Sequence, residues 1–172
     1  MSISLYDATV AGFLQTLGAV ANVLEKGRAH CVAVGCDLSA VVETRLHPDM
    51  LPLRFQILSV VHHSKGAIEG VKAGSFAPPG IIELDYAGLQ AHVEGARTYL
   101  QGMTRDEVDA LQGRDVVFSL GANKLPFVAE DFLLSFSIPN FHFHATTAYD
   151  ILRAQGVALG KRDYMGALRM KR

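Results

Sequence analysis

Four stretches of this chain carry apolar residues at three- and four-residue steps, and that spacing constrains the fold more than any other feature. Side chains three and four apart share one face of an α-helix and must be buried against something. The first stripe is Val10, Phe13, Leu14, Leu17, Val20, Ala21 and Leu24. Ser4 and Asp7 open that helix as a hydroxyl cap followed by an acid in the first turn, and it runs to about Ala33 or Gly35. Asp37 then caps a short helix carrying Leu38, Val41 and Val42, which His47-Pro48-Asp49 breaks. The second stripe is Met50, Leu53, Ile57, Val60, Ser64, Ile68 and Val71, with Asp49 as the expected cap and Pro52 tolerated in the first turn.

Gly74 to Gly80, with Pro78-Pro79, reads as a loop. Asp85 opens the third long helix, with Leu89, Val93, Ala96 and Leu100 on its inner face, and Thr104-x-x-Glu107 is a capping box for a brief helix after it. Alternation across Asp115–Leu120 and Leu125–Val128, around Gly121-Ala-Asn-Lys124, predicts a small β-hairpin whose second strand is held to an edge by Pro126. The fourth long helix spans about Ala129 to Gln155, ends at Gly156 and is expected to kink at Pro139. Four long amphipathic helices with short connections predict a helical bundle.

Composition narrows the function classes. At 172 residues, 49% hydrophobic and 19% charged, the chain has the length and apolar content for a single domain, 1–172, with one core. A net charge of -1 and a single basic cluster, Arg169-Met170-Lys171-Arg172, argue against nucleic acid as a partner. No apolar run approaches the roughly 20 residues of a membrane helix. Met1 to Asp7 lacks the basic head and apolar stretch of a secretory signal. The two cysteines, Cys31 and Cys36, match neither a redox C-x-x-C nor a zinc set, and are expected to be free thiols in a cytoplasmic protein.

Several polar residues do not suit a plain core. Helix four places Asn140, His144 and Thr147 on the same stripe as Leu133, Phe136 and Ile151. His142 lies two residues from His144, about 200° around the helix, and so belongs with Tyr149 and Arg153 on the outer face. On helix two, His62 falls nearly opposite the core and His63 at its margin, in line with Gln56. Two readings remain open. His63, Gln56, Asn140, His144 and Thr147 form a hydrogen-bonded polar cluster, or His63 and His144 belong to a metal site between facing helices.

The blocks Ser2-Ile-Ser-Leu-Tyr-Asp7, Pro48-Asp-Met-Leu-Pro-Leu53 with Gln56, His63 and Lys65-Gly66, Pro139-Asn-Phe-His-Phe-His144 followed by Thr146-Thr-Ala-Tyr149, and Gly160-Lys-Arg-Asp163 occur in order along nearly the whole chain. Together they resemble an uncharacterised bacterial family of the DinB/YfiT-like superfamily of metalloenzymes. That resemblance implies an all-α, DinB-like four-helix bundle in up-down-down-up order, with short accessory helices and the hairpin before the last long helix. It also implies a homodimer, and a nickel or zinc ion held by one histidine on helix two and an H-x-x-x-H pair on helix four. His63 and His144 match two of those ligands, while the partner positions hold Asn140 and Ala148. His62 or His142 supplies a third ligand only if the helical phases are off by about a third of a turn.

The function expected from this is a divalent-metal-dependent hydrolase or thiol S-transferase acting on a small molecule, with Gln56 and Thr147 lining its pocket. The alternative is a metal-free binding or interaction module with a degenerate site. Catalysis by His144 without metal is a third, weaker expectation. The segment Gly160–Asp163 is expected to be a helix cap, with pocket closure or a dimer contact as its other uses.

Overall fold

A computed structural model describes residues 3–80 and 82–171. Ser2, at the head of the first resemblance block, and Arg172, at the end of the basic cluster, lie outside the described residues. The structure is mostly helical, with a small three-stranded sheet.

The chain begins with α1 (Leu5–Ala8), capped by the Ser4 hydroxyl on the Asp7 N–H as expected. It bends at Thr9, whose hydroxyl donates to the Leu5 carbonyl, before α2 (Val10–Val34). Gly35, at φ 74°, ends α2 in the left-handed conformation that glycine adopts without a Cβ penalty. That turn folds Cys36 back over the helix end, so its N–H reaches the Cys31 carbonyl at 3.0 Å. The two Cα atoms lie 4.8 Å apart, and Cys31 and Cys36 form a disulfide. The expectation of free thiols is corrected on this point. With it goes the support the thiols lent to a cytoplasmic setting.

Asp37 caps α3 (Leu38–Val42) through the Ser39 N–H, as expected. Asp49 is not the cap of helix two. It pairs with His47, and α4 (Leu53–Val61) starts after Pro52, whose fixed φ suits a helix entry. The helix widens into a π turn over His62–Gly66 and resumes as α5 (Ala67–Ala73). The Ser64 hydroxyl, buried inside this turn, donates back to the Val60 and Val61 carbonyls at 2.7 and 3.2 Å.

The expected loop after Gly74 contains a strand, β1 (Ser75–Phe76), too short to show a period in sequence. It pairs in parallel with β2 (Asp115–Leu120), setting Phe76 beside Phe118. β3 (Asn123–Val128) closes the hairpin, and Pro126 lies on this edge strand. Between β1 and β2 come α6 (Tyr86–Gln101), capped by Asp85, and α7 (Arg105–Asp109), where the Thr104/Glu107 capping box is formed.

The last long helix starts as α8 (Ala129–Asp131), passes through a second π turn at Phe132–Ser137 and continues as α9 (Ile138–Ala154). Pro139 has no N–H to give, and its ring crowds the carbonyl four residues back; the wide turn just before it accommodates both. Gly156, at φ 91°, follows the helix end. Finally α10 (Lys161–Met165) lies along α2, with Asp163 accepting from the Gly160 N–H, the cap expected for this segment.

α2 packs against α6 and α9, and α4 packs against the same two helices, so the four stripes meet in one core. Phe13 meets Phe141 edge-on at 4.9 Å, with Leu17, Leu24, Leu53, Ile57, Leu89, Leu100 and Ile151 fully buried around them. Each such side chain contributes roughly 1.5–3 kcal/mol on leaving water. Among the described residues no helix is long and apolar enough to cross a membrane.

Candidate functional site

The π turn presents His63 to the gap between α4 and α9. His63 is 8% exposed, and its ring faces that of His144 in a near-parallel stack, centroids 6.0 Å apart and planes 13° off. Phe76 and Phe136 stand at 5.6 Å from His63 on other sides, and Phe55 meets His144 edge-on at 5.8 Å. This apolar wall sets the electrostatics. Burial pushes the His63 imidazole down to about 3, helped by the neighbouring rings of His62 and His144, and pushes His144 down to about 4. Both are neutral at physiological pH.

Hydrogen bonds then fix which nitrogen of His144 is free. Gln56, buried on α4, gives its amide N–H to the Leu51 carbonyl at 2.8 Å. Its oxygen therefore faces His144 Nδ1, 2.8 Å away. An amide oxygen can only accept, so Nδ1 carries the proton and Nε2 keeps its lone pair. This is the outer-sphere pattern that orients metal-ligating histidines, and it equally prepares a base. His63 Nδ1 is buried with no protein partner.

The other expected site residues are distributed differently. Asn140 donates to the Phe136 carbonyl at 2.8 Å and Thr147 to the Phe143 carbonyl at 2.8 Å, each bonding back to its own helix. The polar cluster imagined from sequence thus reduces to one link, Gln56–His144. His62, expected nearly opposite the core, is half-buried, because Phe76 of β1 stacks on it at 4.2 Å. His142 is exposed as expected, and its Nδ1 lies 3.2 Å from the Tyr164 hydroxyl of α10. Phe76 is the residue sequence reading missed. Only a lone aromatic between Ser75 and Ala77 hinted that the loop was anchored.

Among the described residues no group of three or more histidine, cysteine, aspartate or glutamate side chains converges on one point. Two imidazoles bound to one ion through bonds of about 2.1 Å keep their ring centroids within roughly 6.4 Å. The 6.0 Å separation of His63 and His144 lies within that reach, and one ring must turn out of the stack to bring both in-plane lone pairs onto one ion.

The family described as Domain of unknown function (DUF1993) matches residues 5–165. The chain belongs to this family. The crystal structure of a DinB family member protein from Shewanella denitrificans, at 1.83 Å resolution, is similar with a TM-score of 0.80 and 27% identity. That match covers 98% of this chain and 95% of the other. The present protein is thus a DinB-like protein of a domain-of-unknown-function family. No curated protein matches it.

Proposed function

We propose that this DinB-like chain is a divalent-metal-dependent enzyme acting on a small molecule, as a hydrolase or a thiol S-transferase, with its metal between His63 and His144. The observation that carries this reading is the pair of neutral imidazoles 6.0 Å apart, with the His144 Nε2 lone pair set by Gln56. Neutral imidazole is the ligand form, and a buried His63 Nδ1 without a partner is an orphan polar atom that a plain core would not retain. The residues fit two ligand positions, with Asn140 one turn before His144 as the nearest family position for a third. A divalent ion bound there supplies Lewis acidity to a substrate oxygen, or lowers the pKa of a water or thiol. His144 is oriented through Gln56, and the Phe55, Phe76 and Phe136 rings keep water from the imidazoles. The up-down-down-up helix order and a homodimer belong to the same reading.

Metal analysis of untagged protein tests it. Nickel or zinc is expected near one equivalent and is lost in His63→Ala; no divalent metal in either protein sinks the proposal.

A second reading has its own observation. Asn140 is bonded to the Phe136 carbonyl, and a third strong donor is missing among the described residues. That favours a metal-free binding module which kept the pocket. A melting temperature that responds to organic ligands and ignores chelator supports this reading, and the reverse response removes it.

A further inference from the structure

Where α2 ends, a cleft of about 160 Å³ lies between α2, α3 and the end of α9, with room for several waters or one small organic molecule. Its wall includes both halves of the Cys31–Cys36 disulfide. The two halves are unequal: Cys31 is 1% exposed, whereas Cys36 is open to solvent. A thiolate opens a disulfide by attacking the sulfur it can reach, and the other sulfur leaves. Access therefore selects Cys36 for attack and Cys31 as the leaving group. The Cys36 carbonyl oxygen lies 2.9 Å from Cys31 Sγ. Within the bridge that sulfur has no proton to give, but as a released thiol it donates to this oxygen where it stands. The leaving group thus has its acceptor already in place.

The bridge is not alone in closing the turn. The N–H groups of Gly35 and Cys36 both return to the Cys31 carbonyl, the second at 3.0 Å. A link between positions five apart also removes less chain entropy than one closing a long loop. Opening it leaves the helix end held by the same hydrogen bonds. The charge of the wall is one-sided. Asp37 is the one carboxylate there, and no lysine or arginine joins it among the described residues. The Ser39 N–H and hydroxyl hold that carboxylate in place and keep its pKa below the usual value. Val41 and Leu152 give the cleft an apolar side.

We propose that this cleft takes a small cationic aminothiol, and that Cys36 is a site of reversible thiolation. The aminothiol releases its proton and its sulfur bonds to Cys36 Sγ. The Cys31–Cys36 bond breaks with its electron pair going to Cys31 Sγ, which takes up a proton. One thiol is consumed and one is made, so the aminothiol is the only co-reactant. Its ammonium group pairs with Asp37. The site shares no residue with the His63–His144 pair and is independent of both readings of that pair.

Two thiols of similar size and opposite charge, cysteamine and 3-mercaptopropionate, decide it. Each is added to the full-length oxidised protein at about pH 8 and at equal thiolate concentration. Quenching with N-ethylmaleimide caps the freed thiol, intact mass reads the rate of opening, and peptide mapping locates the adduct. Cysteamine is expected to open the folded protein about tenfold faster, with the early adduct on Cys36 and the maleimide on Cys31. Asp37→Asn keeps the helix cap and should abolish the preference. In urea it should shrink to about twofold, since Asp37 stays next to Cys36 in sequence while the cleft is gone. Equal rates in the folded protein overturn the proposal, as does a bridge that neither thiol opens before unfolding. So do an early adduct on Cys31, a preference that survives Asp37→Asn, and one as large in urea as in the folded state. If Asp37→Asn fails to fold, the comparison with urea carries the decision.

Discussion

His63 and Arg97 each hold one ring or guanidinium nitrogen out of contact with water, and the two side chains respond in opposite ways. His63 and His144 can shed their protons, so aromatic burial leaves them neutral, at about 3 and about 4. Arg97 cannot, because guanidinium stays protonated in proteins. It keeps its charge, binds Glu94 on one side and leaves Nε without an acceptor on the other. Burial thus prepares lone pairs in one region, while partial exposure and the Glu94 carboxylate keep a guanidinium charged in the other. What differs is the intrinsic pKa of the group and not the degree of burial alone.

The largest effect that can break this contrast is the dependence of stability on pH. Above the ordinary histidine value of 6.5, folded and unfolded imidazoles are both neutral and contribute nothing. Below 6.5 the unfolded chain takes up protons that folded His63 refuses until about 3, so stability falls as pH drops through that window. His63 accounts for about 1.4 kcal/mol per pH unit, and His144, partly wetted, for a smaller share. Urea midpoints between about pH 7.5 and 4.5 should show this slope. His63→Leu should remove its larger part, whereas Arg97→Gln should leave it intact. A flat wild-type profile would remove the contrast.

A smaller effect is expected from the Cys31–Cys36 disulfide, which bridges positions five apart at the end of α2. Reduction, or Cys36→Ser, should cost about 2 kcal/mol through released chain entropy. The pH slope should not change. A changed slope would mean that the helix end and the imidazole pair are mechanically coupled, and thermal unfolding with and without reductant at two pH values detects it.

Smallest is the Gln56 link. Gln56→Leu should cost about 1 kcal/mol and, more tellingly, free His144 to move its proton to Nε2. Imidazole 15N shifts read the tautomer directly: Nδ1–H in the wild type, a mixture in the variant. A wild type already mixed would show that Gln56 does not set the lone pair.

Much of the helical framework was legible because its causes are local. Asp37, Asp85 and the Thr104/Glu107 box cap where their spacing indicates, and the stripe from Leu53 through Ile57, Val60, Ile68 and Val71 is buried throughout. Asp49 failed as a cap because Pro52 started the helix later. The site was legible in part. His63 and His144 face one another, but the projection of His62 could not show that Phe76, from a strand too short to read, would cover it.

What the sequence by itself determined is therefore the set of elements selected by near neighbours along the chain: helix starts, helix stops, apolar faces and the hairpin. Only the tertiary structure decided that Phe76 would join β2 and cover two histidines, that Cys31 and Cys36 would bond, and that Gln56 would set the tautomer of His144 across 88 residues. The physical reason is range. A cap or stripe is selected by neighbours along the chain, whereas the protonation of His63 and the lone pair of His144 depend on groups that come together only when the core has formed.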